Sequence, residues 1–237
     1  MKKSLLALAT LCAFAGAANA QSSVTLFGLV DLSLNSVKNG ANTTKTMDSN
    51  MLNSNRLGFR GVEDLGGGMS ASFWLEGGMA NDTGSPAGFN FQRRSTVSLS
   101  GSFGEIRLGR DYSNTFSTKA TYDAYGANGM GTLLNLYASG VANLGSGATT
   151  VVRTDNMVGY FLPGNLGGLY GSVQVSAGES ATGNKATGFR LGYAAGPFDI
   201  SGSVSKTDII SNSNDFKVMN FGASYNMGFA KVLALYD

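Results

Sequence analysis

The chain has 237 residues, with 17 basic and 15 acidic side chains, 34 glycines and 3 prolines. It contains no histidine, and its one cysteine, Cys12, lies close to the amino terminus. Downstream of Cys12 the sequence therefore excludes disulfides, Cys/His zinc sites and histidine acid–base catalysis. Its glycines follow no strict period, which excludes a collagen, and the lack of common catalytic residue types argues against an enzyme.

The first predicted element is a secretory signal peptide over residues 1–20. Two lysines precede an apolar run, and the sequence ANA at 18–20 has the A-x-A form of a cleavage site. Cleavage would leave residues 21–237 as one domain that starts at Gln21. Without the two leader lysines the basic side chains number 15, equal to the acidic ones. The charge of this domain therefore favours no nucleic-acid partner.

After the leader, the chain consists of short segments in which apolar and polar residues alternate. The first is VTLFGLVDLSLN at 24–35, and LYGSVQVSAG at 169–178 is another. Segments of about ten residues with period two are typical of outer-membrane β-barrels. Short turns are predicted at 63–68, 100–105, 162–168 and 194–199, and longer polar connections at 39–50, 81–88, 178–188 and 208–216. Alternation of short turns with long loops predicts an antiparallel up-and-down transmembrane barrel.

The connection from about residue 111 to residue 150 is far longer than the others. A structureless loop of this length in a compact domain requires a functional role. We count about eleven strands, ending with KVLALY. An open sheet in lipid leaves unpaired backbone groups at its edges, each costing several kcal/mol. We therefore expect a truncated piece of a larger barrel, with completion by another chain as the alternative.

Several segments, in this order and spacing, resemble the trimeric general porins of Gram-negative bacteria, especially those of β-proteobacteria. They are SSVTLFGLVD, NRLGFRGVEDLGGGMSASFWLEGG, RRSTVSLSGSFGEIRLGRDY, TYDAYG and RTDNMVGYFLPGNLGGLYGSVQVS. The resemblance implies a sixteen-stranded, water-filled barrel without a cofactor, whose third loop folds inward to narrow the pore. It also implies a homotrimer in outer-membrane lipid that the outer-membrane assembly machinery inserts.

The sequence departs from the family in two respects. It ends at Asp237, without the last strands and the terminal aromatic residue of the family, which leaves insertion, closure and trimer formation in question. The acidic cluster that many enteric porins carry on the inward loop is also thin. Asp123 is the one clear acidic candidate there, with Asp111 at the root of the loop.

Candidate pore residues follow from alternation, because the apolar face of each strand meets lipid and the other face meets the lumen. A lipid-facing arginine near the bilayer midplane costs about 2–4 kcal/mol. The arginines predicted to point inward are Arg56, Arg60, Arg107, Arg153 and Arg190, and the acids are Asp31, Glu76, Glu105 and Asp155.

Arg93 and Arg94 are adjacent, so alternation allows only one of them to face the lumen. Treating Ser95, Val97 and Leu99 as the outer face selects Arg94, whereas the R-x-A-F-V-G-L pattern of the family selects Arg93. The resemblance further matches Arg56, Arg93 and Arg153 to the basic ladder of the pore wall, with Arg110 near the root of the loop. Both alternatives for the pair stay open at this point.

These residues predict a passive diffusion channel for small hydrophilic solutes and ions. Basic side chains opposite a loop nearly empty of acids predict a preference for anions. The alternative is a non-channel outer-membrane barrel that acts as an adhesin or a structural protein, with residues 111–150 displayed outward. Any single arginine could instead be a solvated charge that pairs with a neighbouring acid.

Overall fold

The computed structural model describes residues 22–84, 90–136, 150–178, 185–208 and 215–237. The predicted signal peptide lies outside these ranges. The strands are β1 (Ser23–Leu29), β2 (Leu32–Asn39), β3 (Asn42–Ser49), β4 (Arg56–Gly66), β5 (Met69–Gly78), β6 (Arg94–Gly101), β7 (Gly104–Tyr112), β8 (Arg153–Phe161), β9 (Leu169–Ser176), β10 (Ala186–Ala195), β11 (Phe198–Asp208), β12 (Asp215–Asn226) and β13 (Lys231–Tyr236). The helix α1 (Asn114–Tyr122) follows β7.

Eleven of these strands form one antiparallel sheet. Its order is β1, then β4 to β13 in sequence, so each strand after β4 pairs with the next strand along the chain. Tight turns join the strands at one end, and glycines with positive φ, such as Gly196 at 56°, provide the left-handed conformation that these turns need. At the other end, the described β2–β3 hairpin and α1 lie within the longer connections that follow β1 and β7. The predicted up-and-down architecture is therefore confirmed.

The two faces of the sheet differ in chemistry, as alternation requires. One face exposes apolar side chains, among them Val24 at 71% and Leu26 at 63% of their maximal area. The other face, here called the inner face, carries serine, threonine, asparagine and charged residues. Ser203 and Asn220 on this face are 3% and 1% exposed. An apolar outer face and a polar inner face are the reverse of a soluble protein and are expected of a barrel in lipid.

The prediction of one continuous strand over 24–35, followed by a polar loop at 39–50, is wrong. The chain leaves the sheet at residues 30–31, and β2 and β3 form a separate hairpin that pairs only with itself. Asn55 holds the junction, because its amide donates to the Asp31 carbonyl at 3.0 Å and its Oδ1 accepts from the Asp31 amide. The Asp31 carboxylate in turn accepts from the backbone of Leu52 and Asn53, at 2.8 and 2.6 Å.

The long connection folds back onto the inner face, as predicted. Ser113 caps α1, since its hydroxyl accepts from the amide of Phe116 at 3.2 Å, and the helix ends before Asp123. The helix packs against β9 to β13. A Cβ on Gly222 of β12 would lie 1.9 Å from the Tyr122 ring, so glycine is what allows this close approach. Within the described ranges, no helix is long and apolar enough to cross a bilayer.

Candidate functional site

Charged side chains concentrate on the inner face of β4 to β7. We call this set the basic patch; it consists of Arg56, Arg60, Arg93, Arg94 and Arg107 together with Glu76, Glu105 and Asp111. Strand pairing explains the grouping. Gly58 of β4 pairs with Glu76 of β5, which pairs with Arg94 of β6, and cross-strand partners project from the same face.

Glu76 is the acid at the loop end of the basic patch. Its Oε1 lies 2.6 Å from Nε of Arg93 and 3.8 Å from Nη1 of Arg56. Its Oε2 accepts from the indole N–H of Trp74 at 3.0 Å. Glu76 is 5% exposed, so this acid is removed from bulk water and depends on its partners.

Asp111 and Glu105 are the acids that pair with Arg94 and Arg107 in the basic patch. Arg107 contacts Glu105 with two parallel bonds, Nε to Oε1 at 2.7 Å and Nη2 to Oε2 at 2.9 Å. Its Nη1 lies 2.5 Å from Asp111, and Arg94 reaches the same carboxylate at 3.4 Å. The two-pronged arrangement suits the planar guanidinium and fixes its direction.

Both Arg93 and Arg94 reach acids of the inner face. Arg94 does so as part of β6, in register with Glu76. Arg93 precedes the strand, and its amide donates to the Glu76 carbonyl at 3.0 Å while its guanidinium binds the Glu76 carboxylate. Alternation of side chains between the two faces applies only inside a strand, and Arg93 precedes β6. Both arginines can therefore reach the inner face.

Aromatic rings beneath the arginines are the part of the site that sequence reasoning missed. The Arg60 guanidinium lies 5.6 Å from the Phe27 ring and 5.3 Å from the Trp74 ring, and Arg94 lies 4.6 Å from Trp74. Arg107 lies 4.1 Å from the ring of Phe161. Such contacts stabilise a cation over a ring face. Alternation could have found them, since Trp74 shares its parity with Glu76.

Six predicted site residues lie outside the basic patch, namely Arg110, Arg153, Arg190, Asp31, Asp123 and Asp155. Arg110 alternates with Arg107 and Asp111, so it lies on the opposite face, where it forms an ion pair with Asp155. Arg110 also donates to the Gln92 carbonyl, and Arg153 donates to the Arg93 carbonyl, each at 2.6 Å.

Arg110 and Arg153 therefore bind the backbone just before β6, at the loop end of the sheet. Asp123 has a different role, since its carboxylate accepts from the Tyr125 and Leu133 amides at 2.8 and 3.0 Å and from the Thr132 hydroxyl at 2.6 Å. Like Asp31 at the base of the hairpin, Asp123 organises a loop, and its carboxylate oxygens are engaged by neighbouring backbone and side-chain donors.

The opposite half of the inner face holds α1 through hydrogen bonds, several of them from short neutral side chains. We call this set the helix-binding patch; it consists of Ser172, Arg190, Asp199, Ser205 and Asn220. Asn220 donates to the Thr115 carbonyl at 3.0 Å, and Ser172 donates to Asn114 at 2.7 Å.

The carboxyl-terminal end of α1 is bound through its own side chains. The Tyr122 hydroxyl donates to Asp199 at 2.9 Å, and Arg190 donates to Thr121 at 2.9 Å. Burial raises the pKa of the Tyr122 phenol, and the hydrogen bonds to Tyr170 and Asp199 add to this. The neutral phenol is therefore the form that holds this end of the helix in place.

Comparison with known proteins gives a consistent result. A family model described as Gram-negative porin matches residues 7–237. Outer membrane porin protein 32 of Delftia acidovorans is 41% identical over 247 residues, covering 99% of this chain and 69% of the relative. An outer membrane porin protein of Bordetella pertussis is 33% identical over 261 residues, covering 96% of this chain and 65% of the relative.

Among solved structures, an anion-selective porin from Comamonas acidovorans superposes with a TM-score of 0.79 at 38% identity. The match covers 91% of this chain and 67% of that one. OmpT of Vibrio cholerae in its trimer form has a TM-score of 0.64 at 14% identity, which is a likeness of fold. The chain thus spans about two thirds of the length of these relatives.

Proposed function

We propose a function for this chain on one premise: it belongs to the Gram-negative porin family. It is an outer-membrane protein that serves as a diffusion channel for small hydrophilic solutes and ions, and it prefers anions. The relatives named above are porins, which are channels and not enzymes. The relative from Comamonas acidovorans is described as anion-selective.

The observation that carries the anion preference is the charge of the basic patch. It contains five arginines and three acids, all on the inner face or at its loop end. Charged side chains that line a constriction select ions by sign, because a narrow, partly desolvated passage strengthens their field. The excess of guanidinium groups lowers the energy of an anion beside this half of the inner face and raises that of a cation.

The helix α1 supplies the second part of the proposal. It lies on the helix-binding patch, which is built on later strands of the sheet than the basic patch. The acid that follows the helix, Asp123, accepts hydrogen bonds from its own loop. The inward loop therefore narrows the passage without adding free negative charge. An outward-displayed loop, as an adhesin would need, does not fit α1 packed on the inner face.

The further parts of the proposal concern assembly. We propose that residues 1–20 are a signal peptide removed on export and that residues 21–237 belong to the barrel domain. The membrane partners are outer-membrane lipid, which meets the exposed apolar outer face, and the assembly machinery that inserts porins. A homotrimer is proposed from the resemblance to trimeric general porins.

Reversal potentials across a planar lipid bilayer with a KCl gradient test the selectivity. The protein should show a potential of the sign that chloride permeation produces. Arg93→Gln should move it towards zero, because one cation of the basic patch is lost. Lys217→Gln is the matched control, since Lys217 is an exposed residue of β12 that pairs with Lys206 on the outer face.

The proposal is contradicted in two ways. A potential of the sign that potassium permeation produces would remove the anion preference. A protein that inserts but conducts no ions would instead favour the structural-barrel alternative.

A further inference from the structure

The outer face of β10 to β12 changes abruptly from apolar to charged near its loop end. Strand pairing places three exposed apolar side chains side by side in one row, namely Phe189, Val204 and Met219. Two residues nearer the loop end, the next outward-facing row is polar and consists of Thr187, Lys206 and Lys217. This change takes place over about 7 Å of strand, and it marks the depth at which lipid chains give way to headgroups.

An open groove of about 610 Å³ runs along the apolar part of this face. Its apolar lining comes from four neighbouring strands and consists of Val173, Val175, Phe189, Val204 and Met219. Val204 is shorter than Phe189 and Met219, which flank it, so a depression lies over Val204. Lys206 and Lys217 border the loop end of the same groove. The groove therefore has the chemistry that a lipid requires, with hydrocarbon along its length and amines at one end.

The lysines at the loop end of the groove outnumber the acids beside them. Lys206 pairs with Asp208 at 3.4 Å and with Asp215 at 3.2 Å. Lys217 reaches Asp215 only at 3.9 Å, and its side chain is 71% exposed. Lys185 extends the pairing of β10 by one residue, because its carbonyl accepts from the Asp208 amide at 2.9 Å. Within the described ranges Lys185 is exposed and forms no ion pair, so three lysines accompany two aspartates.

These lysines are suited to a membrane boundary and not to the pore. Lys206 and Lys217 share the outer face with Val204, whereas the basic patch lies on the inner face. A lysine side chain can lay its apolar stem along hydrocarbon while its amine stays at the water boundary. Anionic lipid headgroups attract amines at this depth. The groove and its charged end therefore fit the two parts of one molecule.

We propose that this groove binds one phosphorylated lipid of the outer leaflet, with its phosphate at the lysines and an acyl chain over Val204. The long loops of outer-membrane barrels are extracellular, so the lysine end faces the outer leaflet. Each amine has three N–H donors, and exposed ion pairs are weak enough for a phosphate to replace a carboxylate. This site rests on the proposed contact of the outer face with lipid, and it does not depend on ion conduction.

Native mass spectrometry of the protein in detergent tests the charged end of the site. The protein is incubated with equal amounts of dioleoyl phosphatidic acid and dioleoyl phosphatidylcholine, which share their acyl chains and differ in headgroup. We expect at least about fivefold more retention of phosphatidic acid. Lys217→Gln and Lys185→Gln should each lower this retention about fivefold, because one amine near the phosphate is lost. Lys45→Gln, on the separate β2–β3 hairpin, is the matched control and should leave it unchanged.

Val204→Phe tests the apolar part of the site without changing any charge. The larger ring fills the depression between Phe189 and Met219, so retention of phosphatidic acid should fall. Ile200→Phe is the matched control, because Ile200 lies on the same strand and face and is 43% exposed, against 45% for Val204, but lies outside the groove. Its retention of phosphatidic acid should equal that of the unaltered protein.

Equal retention of the two lipids by the unaltered protein would overturn the proposal. Unchanged retention in the Lys185 and Lys217 variants would overturn it as well, and an equal loss in Lys45→Gln would do so by showing a general effect of charge. Equal behaviour of Val204→Phe and Ile200→Phe would show that the groove does not hold the acyl chain. Failure of the channel proposal is distinguishable, because it appears in the reversal potential, and failure of the proposed lipid contact appears as a protein that does not enter bilayers.

Discussion

The basic patch and the helix-binding patch are built on strands of the same sheet, with the same alternation and similar lengths, yet they do different work. On β4 to β7 the inner positions carry partly accessible arginines, paired with acids of which Glu76 and Asp111 are buried. On β9 to β12 they carry mainly serine and asparagine, of which Asn220 and Ser203 are nearly fully buried beneath α1. Short neutral side chains satisfy a docked helix, whereas long charged ones keep a face open to water and ions.

Among variants that test this difference between the two patches, Glu76→Gln in the basic patch is expected to have the largest effect on stability and selectivity. Glu76 is buried between Arg56 and Arg93, and removing one partner of a buried ion pair costs about 3–5 kcal/mol because the other charge loses its counter-ion. The unfolding temperature in detergent, measured by circular dichroism, should fall. The reversal potential should move further towards anion selectivity, because one acid is gone.

Glu63→Gln is the control for this change. Glu63 lies near the turn end of β4 and alternates with the inner-face residues, so the same charge is removed outside the basic patch. Its unfolding temperature and reversal potential should stay close to those of the unaltered protein. Equal behaviour of the two variants would show that Glu76 does not hold the arginines together.

A smaller effect is expected from Gly222→Ala in the helix-binding patch. The new methyl group would lie 1.9 Å from the Tyr122 ring, so α1 must shift, and such overpacking costs about 1–3 kcal/mol. Single-channel conductance should rise as the helix moves from its position. Gly202→Ala is the matched control, because its nearest atoms would lie at an ordinary 3.6 Å. An unchanged conductance in Gly222→Ala would show that α1 does not narrow the conducting path.

The smallest effect is expected from Tyr122→Phe, and it depends on pH. Tyr122→Phe should cost about 1 kcal/mol at neutral pH through the lost hydrogen bond to Asp199. Burial raises the pKa of Tyr122 above its ordinary value of 10.0, so the neutral phenol stabilises the folded state. This contribution is fully present below about pH 10 and is lost as pH rises through the folded pKa.

Unfolding temperatures measured from pH 7 to pH 11 test this expectation. The difference between the unaltered protein and Tyr122→Phe should shrink at the alkaline end. Tyr160→Phe is the control, because the Tyr160 hydroxyl donates to the Phe103 carbonyl away from α1. Parallel pH curves for the unaltered protein and Tyr122→Phe would mean that ionisation of the Tyr122 phenol does not change the stability of the folded protein.

The faces of the sheet could be predicted from the sequence because a strand has a fixed period. Once Leu57 and Phe59 are assigned to lipid, Arg56 and Arg60 must lie opposite them, and the pairing of β4 with β5 places Glu76 on the same face. The family and the barrel architecture were predicted for the same reason, since they depend on repeated alternation and turn positions.

The ends of strands and the loops could not be predicted in this way. Arg93 lies just before β6 and reaches Glu76 although its neighbour Arg94 is the inner-face residue. Asp31 and Asp123 were grouped with pore acids, but each has its carboxylate bound by nearby backbone amides. Which acid serves a loop and which serves a channel depends on chain reversals that period-two patterns do not describe.

The junction of Asp31 and Asn55 also allows changes of sequence in the β2–β3 hairpin that do not affect β4. Because the β2–β3 hairpin pairs only with itself and is closed at its base by side-chain hydrogen bonds, its register is independent of the sheet. Residues can be inserted or deleted near its tip at Gly40, where nothing lies within 4 Å of an added Cβ, without moving Arg56 by one position. This hairpin can therefore change in length and composition without altering the charge arrangement of the adjoining strand.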